Sequence, residues 1–144
     1  HALSPDSYGG IYANMDIAIA PLQMNPFNDS KSEIKVAEAG RYKMPLIASD
    51  VGCYDETIVN GKTGYLLPVG ATKADWVKVI TKCIKNPQHV KEMGENLHKV
   101  TEEYFSMGKV CKHRLELYSE AIRLIKTREG RPPVTYNTEW TFEG

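Results

Sequence analysis

The sequence predicts a parallel α/β sheet with helices on both faces, followed by further helices. Three observations point there. Short apolar runs at residues 15–20, 46–49 and 65–67 have the length and density of strands buried on both sides. Helix-period segments lie between and after them. The first two runs end at a breaker or turn: Pro21 after the first, Asp50 to Tyr54 after the second.

Taken in order, Ser4-Pro5 suits a helix start, with a capping serine and Pro at the first helical position. That short helix reaches about Tyr12, weakened by Gly9 and Gly10. The first strand follows at residues 15–20. Residues 22–29 read as a loop with Pro26 and two asparagines. A helix is expected over residues 31–42 and a second strand over 46–49. Residues 50–54 form a turn, residues 56–59 a short helix, and residues 60–64 a tight turn into the third strand at 65–67. Thr72 and Asp75 make a capping box for a helix through Lys85. Pro87 opens the next helix, in which Val90, Met93, Leu97, Val100 and Tyr104 recur at helical spacing. A last helix spans residues 107–126, with Cys111, Leu115, Tyr118, Ile122 and Ile125 on one side. The tail from residue 127 carries Tyr136, Trp140 and Phe142, and is expected to pack on the domain or on a partner half. His1 in place of Met, just ahead of a helix start, suggests that the natural chain continues upstream.

Composition narrows the partners. The chain has 144 residues, with 18 Lys plus Arg against 18 Asp plus Glu. That balance predicts neither a nucleic-acid surface nor a polybasic membrane patch. No apolar run approaches the roughly 20 residues of a membrane span, and no signal peptide is visible. Cys53, Cys83 and Cys111 lack metal-ligand or paired spacing, which predicts free thiols in a reducing cytoplasm, no metal and no cofactor. Cys83 and Cys111 fall on apolar helix faces and are expected in the core. The histidines have no metal-ligand spacing and are expected at the surface.

The chemistry concentrates at residues 28–42. In open α/β sheets, ligands bind outside the carboxyl ends of the strands. A helix starting there would offer the N–H groups of Ser32, Glu33 and Ile34 to phosphate oxygens, aided by the helix dipole. Lys31, Lys35, Glu38 and Tyr42 fall on one narrow helical stripe. Two lysines there would neutralise a diphosphate, and the Glu38 carboxylate would accept hydrogen bonds from a diol. Spacing alone leaves a second reading open. Ser30 and Glu33 also form a capping box, and Lys35 with Glu38 is also an ordinary i,i+3 surface pair.

Four segments in order carry a resemblance: Asp16-Ile-Ala-Ile-Ala-Pro-Leu; Pro26-Phe-Asn-Asp-Ser-Lys-Ser-Glu-Ile-Lys-Val-Ala-Glu-Ala-Gly; Met44-Pro-Leu-Ile-Ala-Ser-Asp-Val-Gly; and Gly61-Lys-Thr-Gly-Tyr-Leu. Together they resemble the C-terminal, nucleotide-sugar-binding half of GT-B glycosyltransferases of the group 1, family-four type. The resemblance covers about residues 7–67 and implies a partial doubly wound, Rossmann-like sheet. Residues 1–126 would be the C-terminal portion of the donor domain. Earlier strands, with an Arg and Lys loop for the diphosphate, would precede His1. So would an acceptor-binding N-terminal half, through which any peripheral membrane contact would run.

The family's Glu-x7-Glu motif places its second, ribose-binding Glu on Glu38. Its first Glu, which contacts the donor sugar, falls on Ser30. The chain is similar instead to a branch reading Phe-Asn-x-x-Lys-Ser-x-x-Lys-x-x-Glu, matched by Phe27, Asn28, Lys31, Ser32, Lys35 and Glu38. Asn28 or Lys31 is then the candidate for the sugar contact, or the donor is held differently. The resemblance implies transfer of a sugar from a UDP- or GDP-sugar to an acceptor hydroxyl, with retention, in polysaccharide biosynthesis. Lys31, Ser32, Glu33, Ile34 and Lys35 would hold the diphosphate and Glu38 the ribose, with Asn28, Ser30 and Gly52 at the sugar or the rim. The resemblance assigns no residue as the catalytic one, and this piece alone would be inactive. Two alternatives are a nucleotide-diphosphate module without activity and an α/β domain used for protein contacts.

Three smaller signals are weaker. Gly61-Lys62-Thr63 imitates the end of a P-loop, but Glu56 stands where that motif needs glycine and a strand follows where it needs a helix. A hairpin-like turn is expected there instead. Cys53 would need a nearby histidine to act as a nucleophile. Phe27 and Tyr42 could stack on a base, though core or rim packing explains them as well.

Overall fold

The computed structural model describes residues 9–126, and the aromatic tail lies outside them. Three parallel strands, β1 (Ala18–Ala20), β2 (Leu46–Ser49) and β3 (Gly64–Leu67), form one sheet in the order β1-β2-β3. Ala18 pairs with Leu46, and Leu46 pairs with Gly64, so one row of residues crosses the sheet. The first strand is shorter than its apolar run. A 3-10 turn at Gly9–Asn14 precedes it, and the Met15 N–H closes that turn on the Tyr12 carbonyl at 3.1 Å, which leaves Met15 outside the ladder.

The helices are α1 (Pro26–Asp29), α2 (Ile34–Arg41), α3 (Lys73–Ile84), α4 (Pro87–Tyr104) and α5 (Met107–Lys126). A compact unit ends at Lys109, and a second unit begins at Val110. The described part of the second unit is the remainder of α5, on which Cys111 is exposed rather than in a core.

Two apolar clusters cover the two faces of the sheet. Leu46 and Ala48 of β2 meet Val36 and Ala39 of α2, Met44, and Leu97 of α4. Ile47 of β2 points the other way, with Tyr65 and Leu67 of β3, Cys83 of α3, and Val90 and Met93 of α4. Strand residues alternate between faces, so one strand feeds both clusters. Each fully buried Leu, Ile or Met contributes about 1.5–3 kcal/mol relative to exposure. His98 is half-buried rather than at the surface. Its Nδ1 lies 2.9 Å from the Gly40 carbonyl oxygen, tying α4 to the end of α2.

The polar signals around α3 are realised closely. Thr72 is its N-cap, and the Thr72 hydroxyl and N–H donate to Asp75 Oδ2 at 2.7 and 2.8 Å. These two bonds, the hydroxyl first, hold the Asp75 carboxyl below its ordinary pKa. A carboxylate lowered by folding stabilises the fold above its unfolded pKa and loses that contribution as pH falls through the folded one. Thr72→Ala is therefore expected to lower the melting temperature by about 3–5 °C at neutral pH. That difference should narrow on acidification below pH ~4, which thermal melts across pH would record; a pH-independent difference would show that the capping box does not carry it.

The turn before β3 is tight but is not a hairpin, because β2 and β3 run parallel. The short helix expected at residues 56–59 is instead a 3-10 turn at Tyr54–Glu56.

Candidate functional site

The loop expected over residues 22–29 contains a helical turn. Asn25 caps α1 by accepting from the Asn28 N–H at 2.8 Å, and Pro26 fills the first helical position. This local chemistry redirects the polypeptide ahead of the site. Ser30 Oγ donates to the Pro26 carbonyl at 2.8 Å, which spends the hydroxyl on closing α1. The expected Ser30–Glu33 capping box is therefore not made. The second helix starts at Ile34 with Glu33 as its cap residue and no side-chain capping bond. Lys31 accordingly precedes α2, and the stripe expected from Lys31 to Tyr42 begins only at Lys35. Tyr42 is the C-cap residue of that helix.

The structure nevertheless brings Lys31, Ser32, Ile34 and Lys35 to one place. They line a crevice of about 390 Å³ at the carboxyl end of β1, opposite Ala20, Pro21 and Leu22, with Tyr54 on its wall. The N–H groups of Ser32, Glu33 and Ile34 have no protein acceptor among the described residues. Orphan N–H groups at a helix start, with two lysines lining the same crevice, form a field suited to an anion. The Lys31 ammonium sits 4.8 Å from the ring centre of Phe27, a ring that is 75% exposed. Phe27 is thus a rim residue that holds a lysine.

Glu33 is not among the residues that line the crevice. Burial, and then the Glu56 carboxylate, push its carboxyl above the usual range. Asn28 Nδ2 donates to the Gln23 carbonyl at 2.7 Å, so its side-chain amide braces the loop. Gly52 adopts φ 70°, in the left-handed region that favours glycine. A Cβ there would stand 3.3 Å from the Asn28 carbonyl oxygen and 3.4 Å from that of Asp29. Gly52 lets the turn after β2 lie against residues 28–31, and the Cys53 thiol donates to the Lys31 carbonyl at 3.3 Å. Burial first, then nearby Glu33, pushes that thiol's pKa up, the opposite of what a nucleophile needs.

Glu38 lies on α2 one turn beyond Lys35, which donates to its Oε2 at 2.8 Å. The Tyr12 hydroxyl donates to the same oxygen at 2.7 Å. Sequence reasoning missed Tyr12. It stands 26 residues from Glu38 on a separate element, and no periodicity links the two. Lys35 also borders a neighbouring hollow of about 350 Å³, which Tyr12 lines. Tyr42 is partly buried against the core and stacks on Tyr12, with ring centres 5.3 Å apart.

A curated D-inositol 3-phosphate glycosyltransferase of Gordonia bronchialis is 26% identical over 125 residues, covering 87% of this chain and 26% of the relative. The capsular polysaccharide biosynthesis glycosyltransferase CapM of Staphylococcus aureus is 28% identical over 131 residues, covering 91% of this chain and 31% of CapM. The chain thus spans between a quarter and a third of the length of these relatives. Among solved structures, Anabaena Alr3699/HepE in complex with UDP superposes with a TM-score of 0.61 at 19% identity, over 76% of this chain and 29% of that one. That likeness carries the Rossmann-like GT-B fold. The family model described as glycosyl transferases group 1 matches residues 4–100, and the chain therefore belongs to the group 1 glycosyltransferases.

Proposed function

We propose that this domain binds the diphosphate and ribose of a nucleotide-sugar donor, and that the protein containing it transfers the sugar to an acceptor hydroxyl with retention. The observation that carries the reading is the crevice beside β1, lined by Lys31, Ser32, Ile34 and Lys35, with the Ser32 and Ile34 N–H groups unpartnered among the described residues. In glycosyl transfer the leaving group is a nucleoside diphosphate, and negative charge grows on it as the glycosidic bond breaks. Cations and amides already aimed at that position stabilise the transition state without reorganising. The Glu38 carboxylate would receive a ribose hydroxyl. The relatives' names, and the UDP held by the HepE structure, support a nucleotide-sugar donor.

A reading as a binding module without transfer has one observation in its favour. Ser30 stands where a sugar-contacting carboxylate is expected, and its hydroxyl is spent on Pro26. Isothermal titration with UDP and GDP, alongside a transfer assay on the full-length protein, separates the readings. Micromolar to millimolar binding of one nucleotide with turnover supports the transferase. Binding without turnover supports the module, and binding of neither ends both.

A further inference from the structure

We propose that Tyr12 is a positioning residue for Glu38 that leaves a single carboxylate oxygen, Oε1, to meet a ligand hydroxyl. The proposal rests on the nucleotide-sugar reading above. It starts from the two donors on Oε2: the Tyr12 hydroxyl at 2.7 Å and the Lys35 ammonium at 2.8 Å. A carboxylate oxygen has two lone-pair directions, so these donors saturate Oε2. Oε1 receives no hydrogen bond among the described residues. The Glu38 side chain keeps 22% of its surface exposed, enough for a ligand to reach.

The tyrosine is itself held in place. Its ring stacks on Tyr42 with an interplanar angle of 12°. Tyr42 caps the helix that carries Glu38, with its N–H bonded to the Ala39 carbonyl at 3.1 Å. The clamp therefore runs from α2 through Tyr42 to Tyr12 and back to α2 at Glu38. Gly9 opens the 3-10 turn that carries Tyr12, and a Cβ there would overlap the Tyr42 hydroxyl. The turn thus packs directly on the stacked pair.

Two consequences separate positioning from mere support. A carboxylate fixed by two donors offers a directed acceptor without losing rotamer freedom on binding. With one oxygen open, a vicinal diol cannot place one hydroxyl on each carboxylate oxygen. Its two hydroxyls must share Oε1, or only one of them is read.

The test is calorimetric, on the full-length protein, with UDP and GDP each beside its 2′,3′-dideoxy form. Tyr12→Phe keeps the ring and the stack and removes only the donor. We expect about tenfold weaker binding of the ribonucleotide and less than a twofold change for the dideoxy form, the size of one charge-assisted hydrogen bond put out of register. Equal losses for both forms would assign Tyr12 a purely structural role and overturn the proposal, while leaving the nucleotide site intact. An unchanged ribonucleotide affinity would overturn it too. If the wild type bound neither nucleotide, both the site and the proposal would fall together.

Discussion

Gly94→Ala is expected to destabilise the domain by about 3 kcal/mol. Helix propensity argues the other way, since alanine is favoured over glycine in a helix interior by about 1 kcal/mol. Packing decides the sign. A Cβ at Gly94 would overlap the Lys43 carbonyl oxygen and stand 2.6 Å from that carbonyl's carbon and 3.2 Å from the Met44 nitrogen. All three atoms are backbone, so no rotamer change can relieve them. Lys43 is also held at φ 56°, a left-handed conformation uncommon outside glycine, in the link from α2 to β2. That link has little room to move, because Met44 behind it is 1% exposed. Relief requires lifting α4, which would loosen Met93 and Leu97 on either side of the glycine. Urea unfolding would show a lower midpoint with an unchanged slope. A variant as stable as the parent would mean that α4 and the link are less closely fitted than the structure shows.

The second large effect concerns the ligand. In Lys31→Ala/Lys35→Ala, UDP affinity is expected to fall about a hundredfold, roughly 2.7 kcal/mol for two charge-assisted contacts. Fold stability should change little. The Lys35–Glu38 pair is a half-exposed surface bridge, and such pairs contribute about 0–1 kcal/mol. A second signature is salt. Attraction between ammonium groups and a diphosphate is screened by ions, so parent affinity should drop as NaCl rises and the double variant should respond far less. Titration at several ionic strengths checks both. Unchanged affinity and salt response would move the diphosphate out of this crevice.

How much was legible in the sequence depends on how local each feature is. The second strand, the Thr72–Asp75 cap and the Pro87 helix start are local patterns of a few residues, and they appear where their chemistry puts them. The Asn25-Pro26 turn was equally local, yet a polar, proline-containing stretch reads as loop unless its capping asparagine is given weight. The start of α2 was misjudged because Ser30 had two acceptable partners, the amide ahead or the Pro26 carbonyl behind. Only the existence of α1 decides between them. Tyr12 and His98 were beyond reach for another reason. Their contacts join residues 26 and 58 positions apart, and hydrophobic period carries no information about polar contacts made at such separations. Lys31, Ser32, Ile34 and Lys35 line one crevice despite the later helix start, because a crevice at a strand end gathers neighbours from helix and loop alike.

Strand β2 has one further consequence. All four of its residues are buried, and its two sides belong to different apolar clusters. Val90, Met93 and Leu97 of α4 repeat the arrangement, the first two in one cluster and the third in the other. The clusters are thus partners in a single cooperative transition, since neither can melt while its shared strand and helix stay ordered. The stretch from Pro21 to Glu33 lies outside that bargain: it adds no residue to the wholly buried set of either cluster. The Ser32 and Glu33 amides and Lys31 thus hang outside that cooperative unit, while Glu38 rides on α2, whose Val36 and Ala39 belong to it.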